Sequence, residues 1–188
     1  MTIKQIVLLT GVTALALQFA TAIVAADNKP TLEPVPTIDL SRYAGKWYEI
    51  ARFPNRFEKS CASDVTATYT PKENGKIIVL NECKKVDGTL KAAEGTARQA
   101  DKKGPNSVLE VRFAPAFLSF LPMVWGDYWV IELSPNYEYA VIGEPKREYL
   151  WILSRSPKMD EALYQELLKK IAGHGFDTSR IVKTKQSG

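Results

Sequence analysis

From Ile38 onward the chain is broken at intervals of roughly a dozen residues by turn-forming pairs, Asn74-Gly75, Asp87-Gly88, Gly104-Pro105 and Pro135-Asn136. Between them run short stretches rich in β-branched and aromatic residues, the pattern of an antiparallel sheet built from consecutive hairpins. Eight such stretches lie at about 46–53, 63–70, 76–85, 90–100, 106–114, 126–133, 137–143 and 148–154. Only after them does the period change. Ser156-Pro157 offers a cap and a first-turn proline, Leu163, Leu167 and Ile171 recur every fourth residue, and Lys169-Lys170 precede Gly173. This predicts one amphipathic helix over about 157–172. Arg180-Ile181-Val182-Lys183 reads as a short extra strand. Eight strands and one helix leave both faces of a sheet uncovered, so the sheet must close on itself or fold into a sandwich.

The choice between these turns on what points inward. Val65, Ala67 and Tyr69 alternate with Thr66 and Thr68, and Leu109, Val111 and Phe113 alternate with Glu110 and Arg112. Tyr128 shares a face with Val130, and Tyr149 with Trp151 and Leu153. The inner face mixes small residues (Ala67, Gly95, Ala97, Ala140) with rings, which leaves room that large aliphatics would have filled. An eight-stranded barrel has an interior just able to hold one small ligand, and this composition favours such a hollow barrel over a sandwich.

With 188 residues, 45% hydrophobic and 24% charged, the chain has apolar mass for a single globular core, which excludes disordered, collagen-like and coiled-coil classes. The net charge of +4 is dispersed and forms no stripe of the kind that grips nucleic acid. Residues 1–26 hold one base, Lys4, then a mainly apolar run, then small residues ending Val24-Ala25-Ala26, the layout of a cleaved secretory signal peptide; an uncleaved anchor is the alternative. Residues 27–37, with three prolines, read as an extended arm leading into a domain at 38–188. An exported protein meets an oxidising compartment, where Cys61 and Cys83 can pair, and a hairpin turning at Asn74-Gly75 sets them near one another. Their spacing makes a poor metal site, and no metal or cofactor is expected.

Gly45-Lys46-Trp47-Tyr48-Glu49-Ile50-Ala51-Arg52 resembles the first sequence block of the lipocalins, a G-x-W motif opening the first strand. Gly126-Asp127-Tyr128-Trp129-Val130 is similar to the second block, and Tyr149-Leu150-Trp151-Ile152-Leu153-Ser154-Arg155 to the third. The wording is nearest the subgroup of bacterial lipocalin, plant temperature-induced lipocalin and apolipoprotein D. The resemblance implies an all-β fold: an eight-stranded antiparallel up-and-down barrel with one C-terminal helix outside. It gives Gly45, Trp47 and Arg155 a structural role, with the guanidinium of Arg155 over the Trp47 ring at the closed end. It places the connections 53–62, 84–90, 114–125 and 143–148, and with them the Cys61–Cys83 bridge, at the open mouth. No cysteine precedes Cys61, so the tethering cysteine of bacterial lipocalin is missing. The expected location is periplasmic or secreted, peripheral at an outer membrane if membrane-bound, and not lipid-anchored.

On this reading Phe53, Arg56, Phe57, Ala67, Tyr69, Val111, Phe113, Tyr128, Val130, Tyr149 and Trp151 line or rim the ligand site. Arg56, Lys59, Lys84, Lys85, Lys146 and Arg147 outnumber Glu58, Asp87, Glu144 and Glu148 around the mouth. An apolar well under a mildly basic rim suits an amphiphile, a fatty acid or lysophospholipid, with Arg56 and the tyrosine hydroxyls near its head group. Each buried methylene supplies about 0.8 kcal/mol before association costs. Phe117, Leu118, Phe120, Leu121, Met123, Val124 and Trp125 crowd one connection, which implies either membrane or subunit contact through 115–125 or a lid folded on the barrel. The chain is expected to act as a monomer or homodimer. Two rival functions are a lipid-modifying enzyme and a structural envelope protein. Catalysis lacks its usual parts: His174 sits in a Gly-His-Gly segment as a solvated cap, and only Glu49 and Glu132 remain as a candidate inward-facing acid pair.

Overall fold

The computed structural model describes residues 29–187. The signal segment expected at 1–26, and Asp27 with Asn28 of the arm, lie outside them. A single turn of helix α1 (Leu40–Tyr43) leads into β1 (Gly45–Arg52), β2 (Cys61–Pro71), β3 (Ile77–Lys85), β4 (Leu90–Gln99), β5 (Val108–Arg112), β6 (Gly126–Leu133), β7 (Tyr139–Gly143) and β8 (Leu150–Ser154). Helix α2 (Glu161–Gly173) and a two-residue strand β9 (Val182–Lys183) follow. Each strand pairs antiparallel with the next, and β8 returns to β1, so eight strands close a barrel; β9 adds to β1 on the edge that β2 leaves free beyond Tyr48. A closed ring leaves no long unpaired edge.

Helix α2 starts four residues later than the proline signal indicates. Asp160, not Ser156, is the cap: its carboxylate accepts from the N–H of Leu163 at 3.0 Å, and Ser156 to Asp160 form the approach. A carboxylate cap outcompetes a serine because it also answers the helix dipole.

Two apolar clusters divide the fold. Inside the barrel Trp47, Ala67, Tyr69, Ile77, Val79, Ala97, Leu109, Val130, Ala140, Ile142 and Leu153 pack with Tyr43 from α1 and Ile38. Outside it Leu32 of the arm, Ala51, Phe53, Ile131, Val141, Leu150 and Ile152 pack under Tyr164, Leu167 and Ile171 of α2. The arm is extended but fastened: Val35 donates to the carbonyl of Val130 at 2.8 Å, Asn106 bonds both backbone groups of Ile38, and Leu32 is buried.

Register shifts decide which face a residue serves. In β1 Glu49 pairs with Leu153, an inner residue, but Ala51 pairs with Ile152, an outer one, so the extra residue Ile50 exchanges the faces. Beyond it Arg52 points inward, opposite Trp151, and Phe53 outward. A second shift in β6 separates inner Val130 from outward Glu132, which pairs with outer Val141. Cys61 and Cys83 form a disulfide with Cα atoms 5.6 Å apart across the β2–β3 hairpin, tying the β1–β2 loop to the barrel wall at the mouth. Closing a loop of this size stabilises by about 3 kcal/mol in the chain-entropy account.

Candidate functional site

One end of the barrel is sealed by stacked side chains. The Arg155 guanidinium lies 3.9 Å from the Trp47 ring centroid and donates to the carbonyl oxygens of Lys46 (2.8 Å), Arg42 (2.6 Å) and Ala44 (2.8 Å). Gly45, at φ 89°, has its Cα hydrogen facing that guanidinium; a Cβ there would lie 3.5 Å from Arg155 Nη1 in a conformation few side chains adopt. Above this seal the hydroxyls of Tyr43 and Tyr69 each meet that of Tyr128 at 2.8 Å. Burial holds all three phenols neutral, pushing Tyr69 up to about 12. The hydroxyls expected near a ligand head group therefore belong to the floor of the well.

The other end is open. Asn81, Val111, Tyr128 and Trp151 all face the interior and keep partial solvent exposure, while their inner-wall neighbours Val79, Ala97, Leu109 and Ile142 are buried. Small residues, Ala67 of β2 and Ala93 and Gly95 of β4, flank the inward residues Asn81 and Val79 of β3. Phe113 lies directly over Gly95, where a Cβ would come within 2.8 Å of its ring. From the rim a ladder of rings descends: Arg56 over Phe57 at 5.0 Å, Phe57 against Tyr149 at 5.6 Å, and Tyr149 stacked on Trp151 at 5.9 Å. Ala67 and Val130 complete the inner wall. Phe53, counted in the site from its spacing, is instead outside, edge-on to Phe176 at 6.1 Å and beneath Arg180, because the bulge at Ile50 reversed its face.

The ladder is held from behind by a charged group that spacing did not bring together. Glu58 accepts from the Trp151 indole N–H at 2.9 Å and contacts Arg52 Nε at 2.5 Å; Arg52 also contacts Glu49 at 3.2 Å, and Thr184 donates its hydroxyl to Glu49. Glu49 therefore has Glu58 as its acidic neighbour. Glu132, the other candidate inward-facing acid, faces outward and binds the ring of His174 at 2.8 Å, with Lys170 at 3.7 Å. His174 is the C-cap of α2, as expected, but its ring is partly buried against Glu132 rather than freely solvated. Asn81 is the inward residue that the periodicity passed over: its Oδ1 is buried beside Ala67 and Ala93 with no hydrogen-bond partner among the described groups. A lone amide in an alternating apolar strand was the available signal.

The rim is less basic than composition implies. Arg147 is 9% exposed and turns away to the carbonyls of Pro145, Pro30 and His174. Glu144 is buried too, accepting from the N–H groups of Lys146, Glu148 and Tyr149. Lys84 pairs with Asp64 at 3.0 Å and Lys85 with Asp87 at 3.9 Å, which leaves Arg56, Lys59 and Lys146 exposed. Lys91, unremarked in the pattern, ties the carbonyl of Phe57 and the hydroxyl of Ser60. The 113–125 connection folds back on the outer wall, with Trp125 gripped by Arg98 (3.9 Å) and Arg112 (5.3 Å). It leaves Phe117, Phe120 and Met123 at 73%, 75% and 84% exposure. Among the described residues no cluster of His, Cys, Asp and Glu could hold a metal ion, and no helix is long and apolar enough to cross a membrane.

Comparisons with known proteins match this geometry. The model of the lipocalin-like domain covers residues 38–186. Temperature-induced lipocalin-1 of Arabidopsis thaliana is 45% identical over 161 residues, 85% of this chain and 86% of that protein. The outer membrane lipoprotein Blc of Escherichia coli K12 is 36% identical over 173 residues, 90% and 93% of the two chains, and mouse apolipoprotein D is 32% identical over 157 residues, 79% and 77%. Among solved structures, insecticyanin from the tobacco hornworm Manduca sexta superposes with a TM-score of 0.63 at 24% identity, covering 83% and 85% of the chains, and shares the fold. Sequence blocks, closed barrel, flanking helix and sealed floor together place this chain in the lipocalin family, whose members bind small hydrophobic ligands and whose fold serves binding and transport rather than catalysis.

Proposed function

We propose that the protein carries a single-chain amphiphile, a fatty acid or lysophospholipid, with its chain in the upper barrel and its anionic head at the mouth beside Arg56. The observation that carries this reading is that inward-facing Val111, Tyr128 and Trp151 keep partial solvent exposure while the rest of the apolar inner wall is buried. The ladder from Phe57 to Trp151 supplies apolar contact along the chain, and the Arg56 guanidinium meets the head in water, where it steers more than it binds. Titration with a fluorescent fatty acid should give a saturable signal that lysophospholipid displaces, and Trp151→Ala should weaken binding about ten-fold by removing the ring at mid-well. No saturable signal, or binding indifferent to Trp151→Ala, would overturn the reading.

The chain's relatives include an outer membrane lipoprotein and an apolipoprotein, which supports an exported protein. The apolar run followed by Val24-Ala25-Ala26 supports a periplasmic or secreted form released by cleavage after Ala26.

A second contact, with a membrane surface, is favoured by where the exposed apolar residues lie. Phe57, Val86, Leu90, Phe113, Phe117, Phe120 and Met123 all belong to the open end, and among the described residues the one other large exposed apolar side chain is Val182 of β9. The 113–125 connection is pinned by Trp125, so its rings are presented rather than folded in as a lid. Phe117→Ser with Phe120→Ser should reduce co-sedimentation with phospholipid vesicles several-fold while leaving fatty-acid titration intact; unchanged partitioning would reject membrane contact.

A further inference from the structure

A separate cleft of about 420 Å3 lies on the outer flank, between the N-terminal arm and the β7–β8 loop. Its volume is in the range of small-molecule sites. Trp129, Pro30, Pro145 and Leu32 form apolar walls, and Lys29, Lys146 and Arg147 also line it. Three observations set it apart from an ordinary surface groove. First, Arg147 is buried without a carboxylate: its guanidinium meets carbonyl oxygens of Pro145 at 2.6 Å, of His174 at 3.2 Å and of Pro30, and it forms no ion pair among the described residues. Glu144, in the same turn, has its oxygens engaged by three backbone N–H groups, and Asp127 offsets part of the charge of Lys146 only. Second, the Trp129 indole N–H is buried with no acceptor among the described residues. Third, Arg147 is held at φ 56°, closed by its N–H to the Glu144 carbonyl at 3.0 Å, a left-handed backbone that a non-glycine residue adopts only where its surroundings impose it.

A buried cation facing a cleft is left without the counter-charge that a low-dielectric site demands. We propose that this cleft is a second binding site, independent of the barrel, for a small anion borne on a flat apolar body, an aromatic carboxylate being the simplest. The ring lies against Trp129 and the two prolines, whose faces are planar or rigid, and the carboxylate lies toward Arg147 and Lys146.

The test is a titration of the isotope-labelled full chain with naphthoate, followed through the side-chain N–H resonances of Trp129 and Arg147, with and without excess oleate. The Trp129 signal is identified by its loss in Trp129→Phe. The expected result is a saturable shift with a midpoint below about 1 mM, unchanged by oleate and raised about five-fold in Lys146→Glu. Uncharged naphthamide should shift the same signals about ten-fold more weakly. No saturation up to about 5 mM, equal response to naphthamide, or loss of the shift when oleate is present would overturn the proposal, the last by placing the probe in the barrel. Barrel binding is read separately by fatty-acid fluorescence, so failure of one site is not failure of the other.

Discussion

Glu49 shows what a single buried acid costs and what keeps it. Two carboxyls, Glu49 and Glu58, share one guanidinium, Arg52, and the set is neutral only if one carboxyl keeps its proton. Glu49 is 2% exposed, and burial, then the charge of Glu58, hold its carboxyl well above the usual carboxylate range against the pull of the Thr184 hydroxyl. An acid whose pKa rises on folding stabilises least when ionised. Its contribution is intact below the ordinary value of 4.5 and declines as pH climbs toward the folded value. Glu49→Gln keeps an acceptor for Thr184 and has no proton to lose. Urea unfolding should find it close to the parent at about pH 4 and equal or more stable at about pH 8. Lower stability at both would show that ionised Glu49 is what the Arg52 pair requires. The sequence marked Glu49 as an inward acid, but its partner was legible only once the β1–β2 loop had folded Glu58 over the mouth.

At the scale of elements, the least regular one closes the wall. β1 pairs with β2 only over Gly45–Tyr48, and past that point the C-terminal segment takes the vacant edge. Thr184 donates to the Ile50 carbonyl at 2.9 Å, Asp64 donates its N–H to Lys185 at 2.8 Å, and the Gln186 amide bridges the carbonyls of Glu49 and Val65 at 2.7 and 2.9 Å. The end of the segment is fixed by Asp64, whose carboxylate accepts from both the hydroxyl and the N–H of Ser187. Those bonds, the hydroxyl's first, hold the Asp64 carboxyl well below its ordinary range. This anchorage is complete above the ordinary carboxylate value and is lost only as pH falls through the lowered one. Asp64→Asn tolerates the left-handed backbone at φ 55° but removes the charge. Amide exchange at Thr184 should quicken about ten-fold at neutral pH, the worth of one charge-assisted bond, and a change under about two-fold would show that β9 alone holds the segment. The short returning strand was readable from Ile181 and Val182; the vacancy it fills was not, because it arises from two bulges in β2 rather than from any local propensity.

The whole molecule is polarised. Its sealed end carries Trp47, Arg155 and the tyrosine trio, and its open end carries nearly all its large exposed apolar side chains. Strand number, strand order, the C-terminal helix and the disulfide follow from turn chemistry, alternation and hairpin register, which act between residues near in sequence or fixed in pairing, whereas the Trp47–Arg155 seal was readable through the resemblance of its sequence blocks to the lipocalins. Face assignment held for Ala67, Tyr69, Val111, Phe113, Tyr128, Val130, Tyr149 and Trp151, where alternation runs unbroken from the strand's middle. It failed for Phe53 and Glu132, each just past a bulge, since one extra residue exchanges inside for outside all along the remaining strand. Arg147 and Glu144 were lost from the rim for a different reason: loop side chains turn toward whichever carbonyl and N–H groups the packed neighbours leave unpaired, here the arm and the end of α2. The amino-acid sequence by itself thus determined the closed barrel and its sealed floor. Only the tertiary structure decided which charges face the well, because bulges and loop closures are settled by hydrogen bonds between segments as far apart as Glu49 and Thr184.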